Sequence, residues 1–197
     1  MAALVGLDDW RLTAPIDPRR VERIGLTLNL SHIEAGDSVD WVRMVGCRVA
    51  ASFWEPGFPP ALALSGRLWP HPLGPSAWIS RFDADDRDPS WFEVTFNRPR
   101  PVERIELVWA SAAGWSEQFD PGRVRLELLR DTIPKLLASE EITPATGPVH
   151  EWTARETAEV ARVRLTFIEP SRMALDQRAR LMALRVWGPW DGESPAP

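Results

Sequence analysis

The sequence predicts an all-β fold, a sandwich built from short antiparallel strands, and three observations carry that expectation. Several runs alternate apolar and polar residues with the period of two expected of half-buried strands. Nineteen prolines and twelve glycines are scattered through the 197 residues and punctuate the chain into short segments. Eleven tryptophans and seven phenylalanines, with no tyrosine, supply large apolar side chains for a core at 44 % hydrophobic content. This length suits one domain with an appendage.

The strongest strand signal lies at residues 90–109. Phe92, Val94 and Phe96 fall on one face, with Trp91, Glu93 and Thr95 on the other; Ile105, Leu107 and Trp109 then repeat the pattern. Between them Pro99 and Pro101 remove two donors and fix φ, so the reading is two strands joined by a turn over Asn97–Pro101. Towards the N-terminus, residues 1–20 read as an irregular lead-in. Ile24, Leu26, Leu28 and Leu30 share a face of a strand, Ser31 to Asp40 is a loop, and 41–50 is a further strand. Residues 51–75 mix turn signals with aromatics around a short apolar run, Ala61 to Leu64; 77–82 is a short strand and 83–89 an acidic loop. Ser111 to Gly122 reads as a loop, 123–130 as a strand, 133–137 as a turn of helix or a frayed strand, and 138–149 as a loop. An extended segment begins at His150, the last strands are 160–168 and 180–187, and a disordered tail follows from Gly188.

Composition excludes several function classes. A net charge of −5 gives no bulk attraction to nucleic acid. The basic residues are arginines apart from Lys135. Cys47 is alone, so no intramolecular disulfide or cysteine-based metal site is expected. No run approaches 18 apolar residues, so no transmembrane segment is expected. The N-terminus lacks the basic n-region of a signal peptide, which points to the cytoplasm rather than secretion if the chain is complete. Enzyme signatures are missing: there is no G-x-S-x-G elbow, no phosphate-binding glycine loop and no H-E-x-x-H, and His32, His71 and His150 lie far apart. The acidic loop Asp83–Asp88 lacks the glycine and the closing glutamate of a calcium loop.

From about Val49 to Gly188 the order of motifs resembles the discoidin family, also called the coagulation factor 5/8 type C domain. Ala51-Ser52-Phe53-Trp54 stands where that family has ASS-W, and Ala63-Leu64-Ser65-Gly66 where it has A-DG. Trp91 to Phe96 with Val102 to Leu107 matches W-EVDLG-P--V--VEL. Ala161 to Leu165 resembles ARYVRL, and Ala183 to Gly188 the closing E-EVYG. The resemblance implies a galactose-binding-like jelly-roll sandwich of about eight strands over residues 48–188. Residues 1–47 are then an N-terminal β extension or truncated repeat contributing an extra strand pair, and 189–197 a disordered tail. The repeat reading rests on Val21–Leu28 aligning without gaps on Val160–Phe167. Members are mostly binding modules that hold carbohydrates, phospholipid surfaces or proteins in loops at one end. Ser65 replaces the family's Asp, and its last-strand Glu falls near Met182 or Ala183, so the structural calcium of some members is not expected here.

The expected function is therefore a non-catalytic carbohydrate-binding module, with a protein-interaction domain of a larger assembly as the alternative and peripheral membrane binding as a weaker third. No cofactor or metal is expected, and the partner is a glycan or a protein, with this chain a possible part of a multidomain protein. The candidate ligand residues are Trp54 and Phe58, Trp69 and His71, Arg81, and Trp115 and Phe119. The aromatics offer stacking faces held by neighbouring prolines, and His71 and Arg81 offer hydrogen bonds. Each of these residues has an ordinary reading too, as a core ring capping a sandwich end or as a solvated surface group.

Overall fold

The computed structural model describes residues 34–44, 46–65, 70–71, 74–75, 77–81, 89–130, 135–143 and 147–192. Trp69, the strand at 21–30 on which the repeat reading rests, the acidic loop and the last five residues lie outside these, as do the side chains of 70–75.

The architecture is an antiparallel β-sandwich with little helix. Its strands are β1 (Ser38–Asp40), β2 (Cys47–Ala51), β3 (Pro70–His71), β4 (Gly74–Pro75), β5 (Trp78–Ile79), β6 (Trp91–Val108), β7 (Arg123–Leu129), β8 (Leu136–Ile142), β9 (Val149–Glu169), β10 (Arg180–Leu181) and β11 (Ala183–Pro189). The main sheet runs β1-β11-β6-β9-β7-β8, with β2 also on β6; β10 pairs with β5, and β3 with β4.

Two long strands make the sandwich. Trp78 packs against Phe92 at the start of β6, with ring centroids 5.4 Å apart. Its neighbour Ile79 packs with Val108 at the other end of the same strand. A straight strand of 18 residues would hold those ends about 55 Å apart. β6 must therefore bend back on itself, passing from one layer to the other. The bend coincides with the register shifts between Thr95 and Arg100 and between Val102 and Arg104. The turn expected over 97–101 is thus corrected to a crossover within one strand. Pro99 falls in the break in the register, where a missing donor costs no ladder bond, and Pro101 resumes pairing opposite Glu159. β9 follows β6 throughout: Arg162–Thr166 pair with its first half and Val149–Thr153 with its second.

Between the layers lie Phe92, Val94, Ile105, Leu107, Leu126, Leu128, Val163, Leu165 and Phe167, all at most 1 % exposed. Each side chain of this size contributes about 1.5–3 kcal/mol by leaving water. Of the two tryptophans bounding the opening run, Trp109 is fully buried and Trp91 is half-buried on an outer face.

At the end near the bend, the chain closes the core with residues assigned elsewhere by the sequence. The strand expected at 41–50 is broken: Trp41–Met44 form a helical turn, and β1 before it pairs with β11. Asp40 accepts from the backbone N–H of Val42 (3.2 Å) and Val186 (3.1 Å). Trp41 is fully buried, and its indole N–H donates to the Pro101 carbonyl at 2.7 Å. Ser38–Met44, placed by the sequence in an extension spanning 1–47, are joined to the sandwich by these contacts. Likewise Gly188–Asp191 are no disordered tail. Trp190 stacks on Trp41 at 5.6 Å, and Asp191 pairs with Arg98 and Arg100. Leu136–Ile142 of the expected helix-or-strand and loop is strand β8, because Leu126, Leu128 and their neighbours on β7 give it a partner.

Candidate functional site

Four loops meet at the end away from the bend. After β2, Glu55 N–H donates to Ile79 O (3.0 Å), Arg81 N–H to Phe53 O (2.9 Å), and Trp54 bridges Ser80. The β5 segment is tied in turn to the loop before β10, with Ser80 N–H to Ala179 O (2.9 Å) and Ala179 N–H to Ser80 Oγ (2.8 Å). That loop bonds to the one after β6, through Met173 N–H to Gln118 O and Arg172 N–H to Asp120 O. Such crossed backbone bonds satisfy loop donors and hold the surface in one conformation, which lowers the ordering cost of binding.

The sequence candidates separate into two sets. Phe58, Trp115 and Phe119 form the inner one. Phe58 and Trp115 pack on Ala77, Ile79, Val108, Met182 and Ala183. The tight Glu55–Phe58 turn that points Phe58 inward needs Gly57 at φ +90. Trp115 meets Phe119 edge-on at 5.9 Å, and the Arg180 guanidinium lies 5.3 Å from the first ring centre and 4.6 Å from the second. Arg180 is only 3 % exposed and pairs with Asp176, which also accepts from Arg178 Nε at 2.8 Å. Burial alone would push the Asp176 carboxyl up; the hydrogen bonds from Arg178 and Arg180 outweigh it and hold the group below its usual value. Arg180 thus takes one face of each of these half-buried rings, as Arg164 does at Trp91.

The outer set is Trp54 and Arg81, joined by two residues the sequence reading did not single out as ligand contacts. Phe53 is 75 % exposed and Trp54 45 %. With Ala51, Ser52 and Trp91 they line a shallow hollow of about 380 Å³. Trp91 is fixed from both sides, by Ser52 Oγ on its backbone N–H (3.2 Å) and by the Arg164 guanidinium 4.6 Å from its ring centre. Arg81 is exposed beside Phe53. The signal for Trp91 lies in the alternation, which puts it on the face of β6 opposite to Phe92, and Phe53 comes two residues after β2 ends at Ala51. His71 lies in β3 with its backbone opposite Gly74. Among the described residues no three His, Cys, Asp or Glu side chains converge to hold a metal ion.

No protein-family model and no curated protein matches this chain. Solved structures do match in fold. A fucose-binding module of Streptococcus pneumoniae aligns over 76 % of this chain and 95 % of its own at a TM-score of 0.59 and 14 % identity. The family 32 carbohydrate-binding module of C. perfringens NanJ, solved with galactose, aligns over 72 % and 93 % at 0.57 and 16 %. The lectin domain of lectinolysin, solved with Lewis B antigen, aligns over 73 % and 93 % at 0.57 and 13 %. At these identities the likeness establishes the fold, a galactose-binding-like β-sandwich.

Proposed function

We propose that this chain carries a discoidin-like, non-catalytic carbohydrate-binding module whose ligand rests on the end-loop hollow of Phe53, Trp54 and Trp91. The exposed pair Phe53 and Trp54 is the observation that carries the reading: large apolar rings left in water on a rigid loop are costly unless they meet a partner. A pyranose ring fits such a surface, since one face is apolar C–H that stacks on an aromatic ring and its hydroxyls seek donors such as Arg81 and Arg164. The neighbours of the same fold, a fucose-binding module and two modules solved with galactose and with Lewis B antigen, support the substrate class. In this reading Trp115 and Phe119, half-buried against Arg180, are packing residues of the loop after β6 and not ligand contacts.

A glycan array probed with the full chain tests this. Binding to a defined set of terminal sugars is expected, reduced tenfold or more by Trp54→Ala while circular dichroism is unchanged. Silence across the array would sink the reading. One further observation favours the alternative of a protein partner. Leu175 is 83 % exposed on the loop that Arg178 and Glu55 link to the Phe53 loop at 3.9 Å. An apolar protein surface would cover Leu175 and Phe53 together, and a Leu175→Asp variant that loses a partner yet keeps its glycan would assign that role separately.

A further inference from the structure

A second concavity lies at the open side of the sandwich, between β8 and the first half of β9. Neither edge is paired there among the described residues: β8 pairs with β7 alone, and Val149–Thr153 pair with β6 alone. The groove measures about 430 Å³, within the range of small-molecule sites. Leu126 and Leu128 form its floor, with Leu137 and Trp152 as walls.

Its chemistry is set by one residue out of pattern. Glu140 sits opposite Leu126 across the β7–β8 ladder, so both side chains are on the same side of the sheet, with Glu140 exposed at its edge. The neighbouring positions of β8 on that side are Ala138 and the buried Ile142, and a third small or apolar residue would be the expected choice. Glu140 instead accepts the indole N–H of Trp152 on Oε2 at 2.8 Å, fixing the half-buried ring across the groove. Its other oxygen takes no hydrogen bond among the described residues. Arg155 and Glu156 stand at the rim and enter no ion pair among the described residues, whereas most described arginines do.

We propose that this groove is a second ligand site, independent of the end loops, that takes a pyranose unit of a glycan chain. A purely apolar ligand would strip water from the Glu140 carboxylate without replacing its hydrogen bonds. An added peptide strand would lay its backbone along an edge that the charged Glu140 guards, a device that discourages strand pairing. A sugar ring satisfies both surfaces: its C–H face covers Trp152 and the exposed Leu137, and its hydroxyls donate to Glu140 and accept from Arg155. A groove open along the strands admits an internal unit of a chain, where the end hollow suits a terminal one.

The test is a titration of the ¹⁵N-labelled full chain with soluble galacto-, fuco-, cello- and chito-oligosaccharides, read at the tryptophan indole N–H resonances. Trp152→Phe assigns the signal. A saturable shift of the Trp152 signal that persists in Trp54→Ala, with affinity at least tenfold weaker in Glu140→Gln, is expected. Glutamine still accepts the indole N–H, so this variant keeps the ring in place and isolates the lost carboxylate charge. A Trp152 signal unmoved by every oligosaccharide at tens of millimolar overturns the proposal, even where the end loops respond. A Trp152 shift that disappears in Trp54→Ala overturns it too, because it reports one site and not two.

Discussion

Gly188→Ala tests the packing that lets the bent β6 strand close the far end of the sandwich. A Cβ at position 188 would lie 1.8 Å from the Pro101 carbonyl oxygen and 2.7 Å from Trp41 Nε1. Ordinary contact begins near 3.4 Å, so the carbonyl has to retreat by about 1.5 Å. That retreat stretches the 2.7 Å bond from the fully buried Trp41 indole beyond hydrogen-bonding range. An unpaired buried N–H costs about 1–3 kcal/mol and overpacking a further 1–3 kcal/mol, for roughly 2–6 kcal/mol in all. In a domain of this size the melting temperature should fall by roughly 5–20 °C. Gly122→Ala is the internal control: its Cβ meets only the side chain of Glu169, at 2.5 Å from Oε2, and that carboxylate can rotate into solvent. Thermal unfolding followed by tryptophan fluorescence should therefore separate two chemically identical substitutions. A Gly188→Ala melt within 2 °C of the parent refutes the close approach of β11 to β6.

Four other substitutions probe charge and exposure. Asp176→Ala leaves the Arg180 cation buried without its carboxylate and should cost about 3–5 kcal/mol in urea unfolding at pH 7. Because Asp176 is held below its usual 3.8, the parent's stability from this group is full above pH 3.8 and falls away as acid titrates the native carboxylate, so the gap between parent and Asp176→Ala should narrow only below that pH. Asp40 behaves oppositely: burial pushes its carboxyl above 3.8 despite the Val186 and Val42 hydrogen bonds, so ionised Asp40 costs stability at neutral pH. Asp40→Asn should melt at or above the parent at pH 7, with any advantage gone near pH 3.8, and a large loss at pH 7 would contradict this. Trp54→Ala should leave the melting temperature within about 2 °C, since the ring is 45 % exposed, while Trp115→Ala, which uncovers Arg180 and the cluster around Ile79, should lower it clearly.

The sequence by itself determined the class of this protein. Alternation in 91–96, 105–109, 123–129 and 160–167 assigns the inward residues of these strands, because a strand's side chains must alternate whatever they pack against. The order of motifs from Ala51 to Gly188 led to the sandwich now seen, and the closing glycine of that pattern acquires a reason in the Pro101 carbonyl and the Trp41 indole that fill its Cβ space. What the tertiary structure decided is which large residues face water and where a strand bends, since both depend on neighbours distant in sequence. Phe53 and Phe58 flank the same loop, yet one is left in solvent and the other packs on β6 and the segment before β11. Trp115 and Phe119 both lie against Arg180, more than sixty residues later, a neighbour that no local pattern announces. Pro99 and Pro101 read as a turn because their missing donors are a local fact; that β9 bends alongside and tolerates the gap is not. For the same reason Glu140 reads as an ordinary polar residue in the chain, and only its register opposite Leu126 brings it to Trp152.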